Sequence, residues 1–261
     1  MKRIVVKVGT STLTHENGEP NLRSIDMLAR TLSELQNMGY DVVLVSSGAI
    51  AVGQCKMKLE KRPEELRLKQ ATAAVGQCEL MHLYDKFFGE YGKIVGQILL
   101  TGEDIENTHT KENIINTLEA LLEQKIIPIV NENDTVSYEE IENPHKIFGD
   151  NDTLSAIVAV LCEADILVLL SDIDGLYEDN PAKNPDARLI REVRVLDDEI
   201  RDLASGAGSN RGTGGMITKL NAAEIAMNKG INMVISNGKY PEKLYDIVEG
   251  KAVGTLFVAI K

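Results

Sequence analysis

The sequence predicts an α/β protein, a three-layer α/β/α sandwich around a mainly parallel sheet. Three observations predict it. Short β-branched runs alternate with longer helical patterns along the chain. The run Ile166–Leu170 is apolar at every position, as a strand covered on both faces requires. The strand candidates repeatedly end in small, polar or acidic residues, at the place where open parallel sheets bind ligands.

Taken in order, Arg3–Val8 reads as the first strand and Ile25–Met38 as an amphipathic helix ended by Gly39. Asp41–Val45 is the second strand, Glu64–Tyr84 is mostly helical and Ile94–Leu100 is the third strand. Glu112–Glu123 is helical. Ile126–Val130 is a strand that Pro128, lacking an N–H, pushes toward a sheet edge or a strand end. Val136–Lys146 is polar and turn-rich and reads as a projecting hairpin. Asp152–Leu161 is helical, Ile166–Leu170 a buried strand, Met216–Asn228 helical, Asn232–Ile235 a strand and Thr255–Ala259 a closing strand. With no internal repeat and no clear linker, the chain reads as a single domain, 1–261, in which a fresh strand near Asp165 opens a second lobe.

Composition narrows the classes of function. Lys plus Arg minus Asp plus Glu is 28 − 40 = −12, which disfavours general binding to nucleic acid or to anionic membranes. Cys55, Cys78 and Cys162 are odd in number and widely spaced, which fits a reduced compartment and neither a disulfide framework nor a zinc site. Met1–Val8 has no apolar run of signal-peptide length, and no stretch approaches the length needed to span a bilayer, so the expectation is a cytoplasmic protein.

Gly212-Thr213-Gly214-Gly215-Met216-Ile217-Thr218-Lys219 is a glycine-rich turn that runs into a helical pattern. Free N–H groups at a helix start, a positive dipole end and Lys219 one turn inside suit a phosphate. The spacing is not that of a Walker A loop, and a plain surface loop capping a helix remains the alternative. Lys7 is a charge inside an otherwise apolar β-run, and needs a partner or a ligand unless its strand face is wet. Other strand ends carry Ser46-Ser47-Gly48, Asn131-Glu132-Asn133-Asp134, Asp150-Asn151-Asp152 and Ser171-Asp172. Each has a plainer reading: Ser47-Gly48 as a turn and helix cap, Asp150 and Asp152 as N-caps, Asp172 and Asp174 as turn residues.

Two lysines, a phosphate-type loop and several aspartates point to phosphoryl transfer, in which the protein mainly positions reactants and neutralises charge. Lys7 and Lys219 are placed to flank the transferred group, with an aspartate such as Asp152 holding both. The four histidines lack catalytic spacing, and no general base presents itself. A carboxylate is already ionised at neutral pH and needs none, so this mildly favours a carboxylate acceptor over a hydroxyl.

In their order, these segments resemble the amino acid kinase family, and within it the branch that phosphorylates glutamate. The matching pieces are Val6–Ser11, Val45–Ile50, Ile129–Asp134, Gly149–Asp152, Leu169–Tyr177 and Gly212–Lys219. The resemblance implies the amino acid kinase fold and ATP-dependent phosphorylation of the γ-carboxylate of L-glutamate to γ-glutamyl phosphate, the first step of proline biosynthesis. It implies that Lys7 and Lys219 stabilise the transferring phosphoryl group and that Asp152 orients them. Ser47, Gly48, Asp134, Asp150 and Asn151 would bind glutamate, in a substrate lobe of about 1–164. Lys7, Gly9, Ser171, Asp172, Thr213, Gly214, Gly215, Met216, Ile217, Thr218 and Lys219 would bind ATP, the last nine of them in a nucleotide lobe of about 165–261. Mg²⁺ would travel with the nucleotide phosphates and no protein metal site is expected. The resemblance further implies a homo-oligomer, feedback by proline through the region of Val136–Ile147 and transient contact with γ-glutamyl phosphate reductase; in departure from many members, the expectation is a kinase domain without a C-terminal PUA module. Rival readings are a kinase of the same fold for acetylglutamate, carbamate or a nucleoside monophosphate, and a non-catalytic glutamate or proline sensor.

Overall fold

The computed structural model describes residues 2–136, 150–205 and 215–260. It contains one sheet of eight strands, β1 Arg3–Val8, β2 Asp41–Ser46, β3 Val95–Leu100, β4 Ile127–Glu132, β5 Ile166–Ser171, β6 Glu192–Val193, β7 Asn232–Asn237 and β8 Thr255–Phe257. Their order is β3-β4-β2-β1-β5-β7-β8-β6, and neighbours are parallel except the antiparallel pair β7–β8. The helices are α1 Thr10–Leu13, α2 Leu22–Asn37, α3 Ala49–Lys56, α4 Leu66–Glu90, α5 Gly102–Glu106, α6 Thr108–Glu123, α7 Asn151–Leu161, α8 Asp198–Ser205, α9 Met216–Asn228 and α10 Lys243–Val248. Among the described residues, no helix is long and apolar enough to cross a membrane.

Strand side chains alternate between faces, and the two halves of the core follow that alternation. Val5, Val43, Val45, Leu167 and Leu169 pack on one face with α7 and α9. Ile4, Val6, Val8, Val42, Leu44, Val168 and Leu170 pack on the other with α2 and α4. The sandwich therefore follows from strands that are apolar on both faces. Each fully buried Val, Leu or Ile contributes about 1.5–3 kcal/mol by leaving water. Lys7 follows Val5 on the α7–α9 face, so strand periodicity alone aims it toward the start of α7.

β1 sits between β2 and β5, which pair with it on opposite sides. The chain leaves β1 toward β2 on one side and later returns to β5 on the other, so a crevice opens at the carboxyl ends of these strands, as in doubly wound sheets. Lys7, Ser47 and Ser171 lie at or just beyond those ends.

Of the two places expected for Pro128, an edge or a strand end, it takes the second, since β4 lies between β3 and β2. It is near the strand's start, and the β2–β4 ladder begins only at Ile129, so the missing N–H breaks no bond there. The turn after β2 is followed by a helix, α3, whose span was not expected. Gly48 starts α3 with φ +97°, a left-handed conformation that suits glycine. The other expected elements match within a few residues at their ends, with α4 longer, running on to Glu90, while the short elements α1, α5, β6, α8 and α10 were not expected. The segment expected as a hairpin lies outside the described residues beyond Val136.

Helices α3 and α4 touch main chain to main chain. A β-carbon at Gly53 would stand 1.9 Å from the Thr72 carbonyl oxygen, and one at Gly76 would stand 1.7 Å from that of Ala49. Neither position has room for any side chain.

Candidate active site

The start of α7 organises the crevice. Asp150 is its N-cap: Oδ1 accepts from the backbone N–H groups of Asp152 and Thr153, both at 2.9 Å, and Oδ2 accepts from the Thr153 hydroxyl at 3.0 Å. Both carboxylate oxygens are thus engaged by the helix itself. The next two residues, Asn151 and Asp152, reach in different directions and build two adjoining half-sites.

Asp152 gathers the lysines. Its Oδ2 accepts from Lys219 Nζ at 3.0 Å, and its Oδ1 lies 2.7 Å from Lys7 Nζ, a charge contact off the hydrogen-bond axis. The Thr218 hydroxyl stands 2.8 Å from Oδ2 and 2.8 Å from the Gly215 carbonyl oxygen and donates to either. All three charged groups are buried, with Asp152 1%, Lys7 8% and Lys219 7% exposed. Burial by itself would raise the Asp152 pKa; the positive charges of Lys7 and Lys219, with the close Lys7 contact and the hydrogen bond from Thr218, outweigh it and bring it down to about 2. The trio carries two positive charges and one negative, a net +1 in a place nearly closed to water. Such a charge favours an anionic ligand. Lys7 comes from the middle of the sheet and Lys219 from the first turn of α9, so the two lysines reach one carboxylate from different elements.

Asn151 faces the other way. Its Nδ2 lies 3.0 Å from the Ser46 carbonyl oxygen, 2.9 Å from Ser47 Oγ and 3.1 Å from Asn131 Oδ1. Asn131, the fifth residue of β4, also accepts the Glu132 N–H at 2.9 Å and donates from Nδ2 to Gln77 Oε1 at 2.9 Å. The Ser46 hydroxyl and Tyr84 hydroxyl are 2.7 Å apart, a second tie between α4 and the end of β2. Asp134 lies in the turn just after β4, half-buried at the same end of the sheet.

The remaining expected residues stand as follows. Gly9 precedes α1, and a β-carbon there would lie 3.8 Å from Lys7 Nζ. Gly48 heads α3 beside Ser47. Ser171 ends β5 and its hydroxyl donates to Asp172 at 3.1 Å; among the described residues neither makes a hydrogen bond or ion pair to the Asp152 group. Gly215 is the N-cap of α9 and offers it no side-chain cap, which leaves the first-turn N–H groups for another acceptor. Met216 is buried and Ile217 is 54% exposed on that first turn. Thr213 and Gly214 lie outside the described residues. Asn131 and Gln77 were not among the expected site residues. The position of Asn131 just past an apolar run was a usable signal, whereas Gln77 sits in a helix where nothing local marks it.

Comparison with known proteins agrees with this geometry. The amino acid kinase family profile matches residues 2–237. The chain is 58% identical over 260 residues to a glutamate 5-kinase of Clostridium perfringens, covering 100% of this chain and 96% of that one. It is 56% identical to a glutamate 5-kinase of Listeria innocua, covering 100% and 94%. Among solved structures, a carbamate kinase from Giardia lamblia bound to AMP-PNP superposes with TM-score 0.66 at 18% identity, covering 99% of each chain. A UMP kinase from Ureaplasma parvum does so with TM-score 0.66 at 16% identity, covering 98% of each. These two carry the fold alone, while the sequence relatives carry the branch. With β1 central, Lys7 and Lys219 meeting on Asp152, and identity above one half along its whole length, this chain belongs to the amino acid kinase family, in its glutamate 5-kinase branch.

Proposed function

We infer that the chain transfers the γ-phosphoryl group of ATP to the γ-carboxylate of L-glutamate, giving γ-glutamyl phosphate and ADP, the first step of proline biosynthesis. The observation that carries the chemistry is the buried Lys7–Asp152–Lys219 group. A glutamate carboxylate oxygen attacks the γ-phosphorus, and the bond to the bridging oxygen breaks with its electron pair leaving on ADP. Two anions must approach for this, and the paired lysines offset their repulsion. No proton has to be removed from the acceptor. Asp152 is unsuited to remove one, because its pKa of about 2 makes it a very weak base and both its oxygens are engaged. Its role is to hold two ammonium groups in fixed geometry.

Ser47, Asn151 and Asp134 hold glutamate, with Gly48 offering main-chain donors and Asp150 fixing the helix start that presents Asn151. The α-ammonium of free glutamate favours an acidic neighbour such as Asp134, which N-acetylglutamate does not require. Gly9, Ser171, Asp172 and the segment from Thr213 to Lys219 take the nucleotide, so that the substrate lobe, about 1–164, and the nucleotide lobe, about 165–261, meet at α7. Among the described residues, no three His, Cys, Asp or Glu side chains cluster as a metal cage. Mg²⁺ would be held mainly by the nucleotide phosphates, where it would neutralise phosphate charge. Cytoplasmic location, homo-oligomer formation, inhibition by proline and hand-over of the labile acyl phosphate to a reductase belong to the same proposal.

The test is a hydroxamate assay dependent on ATP and Mg²⁺, run with glutamate, N-acetylglutamate and aspartate. Hydroxylamine traps an acyl phosphate, so signal with glutamate alone supports the reading. Signal with N-acetylglutamate moves the chain to another substrate, and silence with all three removes carboxylate kinase activity.

A further inference from the structure

We propose that Gln77 is a positioning residue of the glutamate site, setting the hydrogen-bond polarity of Asn151 and Ser47 through the amide of Asn131; this rests on the glutamate reading above. Two main-chain groups make the amide directions unambiguous. The Glu132 N–H can only donate, so the Asn131 atom it meets at 2.9 Å is the oxygen, and the amide's nitrogen faces Gln77 Oε1 at 2.9 Å. The Ser46 carbonyl can only accept, so the Asn151 atom 3.0 Å away is Nδ2.

The consequence is directional. Asn151 uses its N–H groups on Ser46, Ser47 and Asn131, and among the described residues its Oδ1 accepts no hydrogen bond. That oxygen is an acceptor for an ammonium. Ser47 Oγ accepts from Asn151 at 2.9 Å, which leaves the Ser47 proton to donate to a carboxylate. A zwitterionic amino acid presents both groups. An Asn131 amide turned the other way would set its NH₂ against both the Glu132 N–H and the Asn151 NH₂, and the polarity of the pair would be lost.

Gln77 is what holds Asn131 from the far side. It is 8% exposed and follows Gly76, whose main-chain contact with α3 fixes the register of α4. Tyr84, seven residues on and thus on the same helix face, ties the same helix to Ser46. Gln77 touches none of Lys7, Asp152 and Lys219 by hydrogen bond or ion pair, so its influence separates from that of the phosphoryl half-site.

The experiment is steady-state kinetics of Q77M, which keeps the volume and removes the acceptor, with Q77A measured alongside so that one folding failure does not decide the matter. The glutamate KM is expected to rise about 10-fold, as for loss of a buried hydrogen bond, with the ATP KM and kcat within about threefold of wild type. An unchanged glutamate KM in a folded variant, or equal losses for glutamate and ATP, overturns the proposal. If wild type turns over glutamate, either result refutes the role of Gln77 alone. A wild-type enzyme silent with glutamate removes the functional reading and this inference with it.

Discussion

Replacing Asp152 by Asn removes one negative charge and almost no volume from the point where Lys7 and Lys219 converge. The carboxylate is 1% exposed, so water cannot replace it as the lysines' partner. Its pKa is lowered from 3.8 to about 2, which corresponds to about 2 kcal/mol of favourable interaction at neutral pH. Because the folded value lies below the unfolded one, that stability is fully present above about pH 4 and is lost as pH falls toward 2. Leaving two buried ammonium groups uncompensated adds to the loss, and removing one partner of a buried pair costs about 3–5 kcal/mol. D152N is therefore expected to melt at lower temperature and to lose about 10²–10³ in kcat, the usual cost of one mispositioned charge-stabilising group. Thermal unfolding with and without ATP, together with the hydroxamate assay, reads both effects. Wild-type kcat in D152N below its melting range would refute the idea that Asp152 positions the lysines. The variant should also lose the stability change between pH 4 and 2 that belongs to this carboxylate in wild type.

Other outcomes follow from the same geometry. K219A is expected to keep its secondary structure by circular dichroism and lose about 10²–10³ in kcat, and near-normal turnover would contradict its place beside the phosphoryl group. D134A is expected to raise the glutamate KM far more than the ATP KM; equal effects on both would displace Asp134 from the amino acid. D150A removes a cap that serves two N–H groups, so chemical denaturation should show a loss of about 1–2 kcal/mol. An unchanged midpoint would mean the helix start is held by other contacts.

How much of this the sequence disclosed varies from residue to residue, for physical reasons. Lys7 was conspicuous because a charge in an apolar strand needs a partner, and period-two alternation then fixes the face it occupies. Helix-start chemistry alone reads Asp150 and Asp152 alike, as capping acids; the fold makes Asp150 the cap and Asp152 the partner of two lysines. Pro128 left an edge and a strand end both open, because sequence shows the missing N–H but not where a neighbouring ladder begins. Ser47-Gly48 was legible as a helix cap, but the span of α3 behind it was not, because Ala49–Lys56 is short and carries no clear amphipathic period. Gln77 was illegible because its partner lies 54 residues away, and a polar residue in a helix ordinarily faces water.

The joint at Gly53 and Gly76 has a mechanical consequence. Where side chains separate two helices, a small push is absorbed by rotamers; here carbonyl oxygens meet Cα atoms and nothing between them can yield. Helix α4 is 25 residues long, about 37 Å from end to end, and its middle bears on α3, the helix that begins at Gly48. With no side chain between them to absorb a shift, the two helices hold a single spacing, and the end of β2 and the start of α3 are positioned by α4 as one rigid unit.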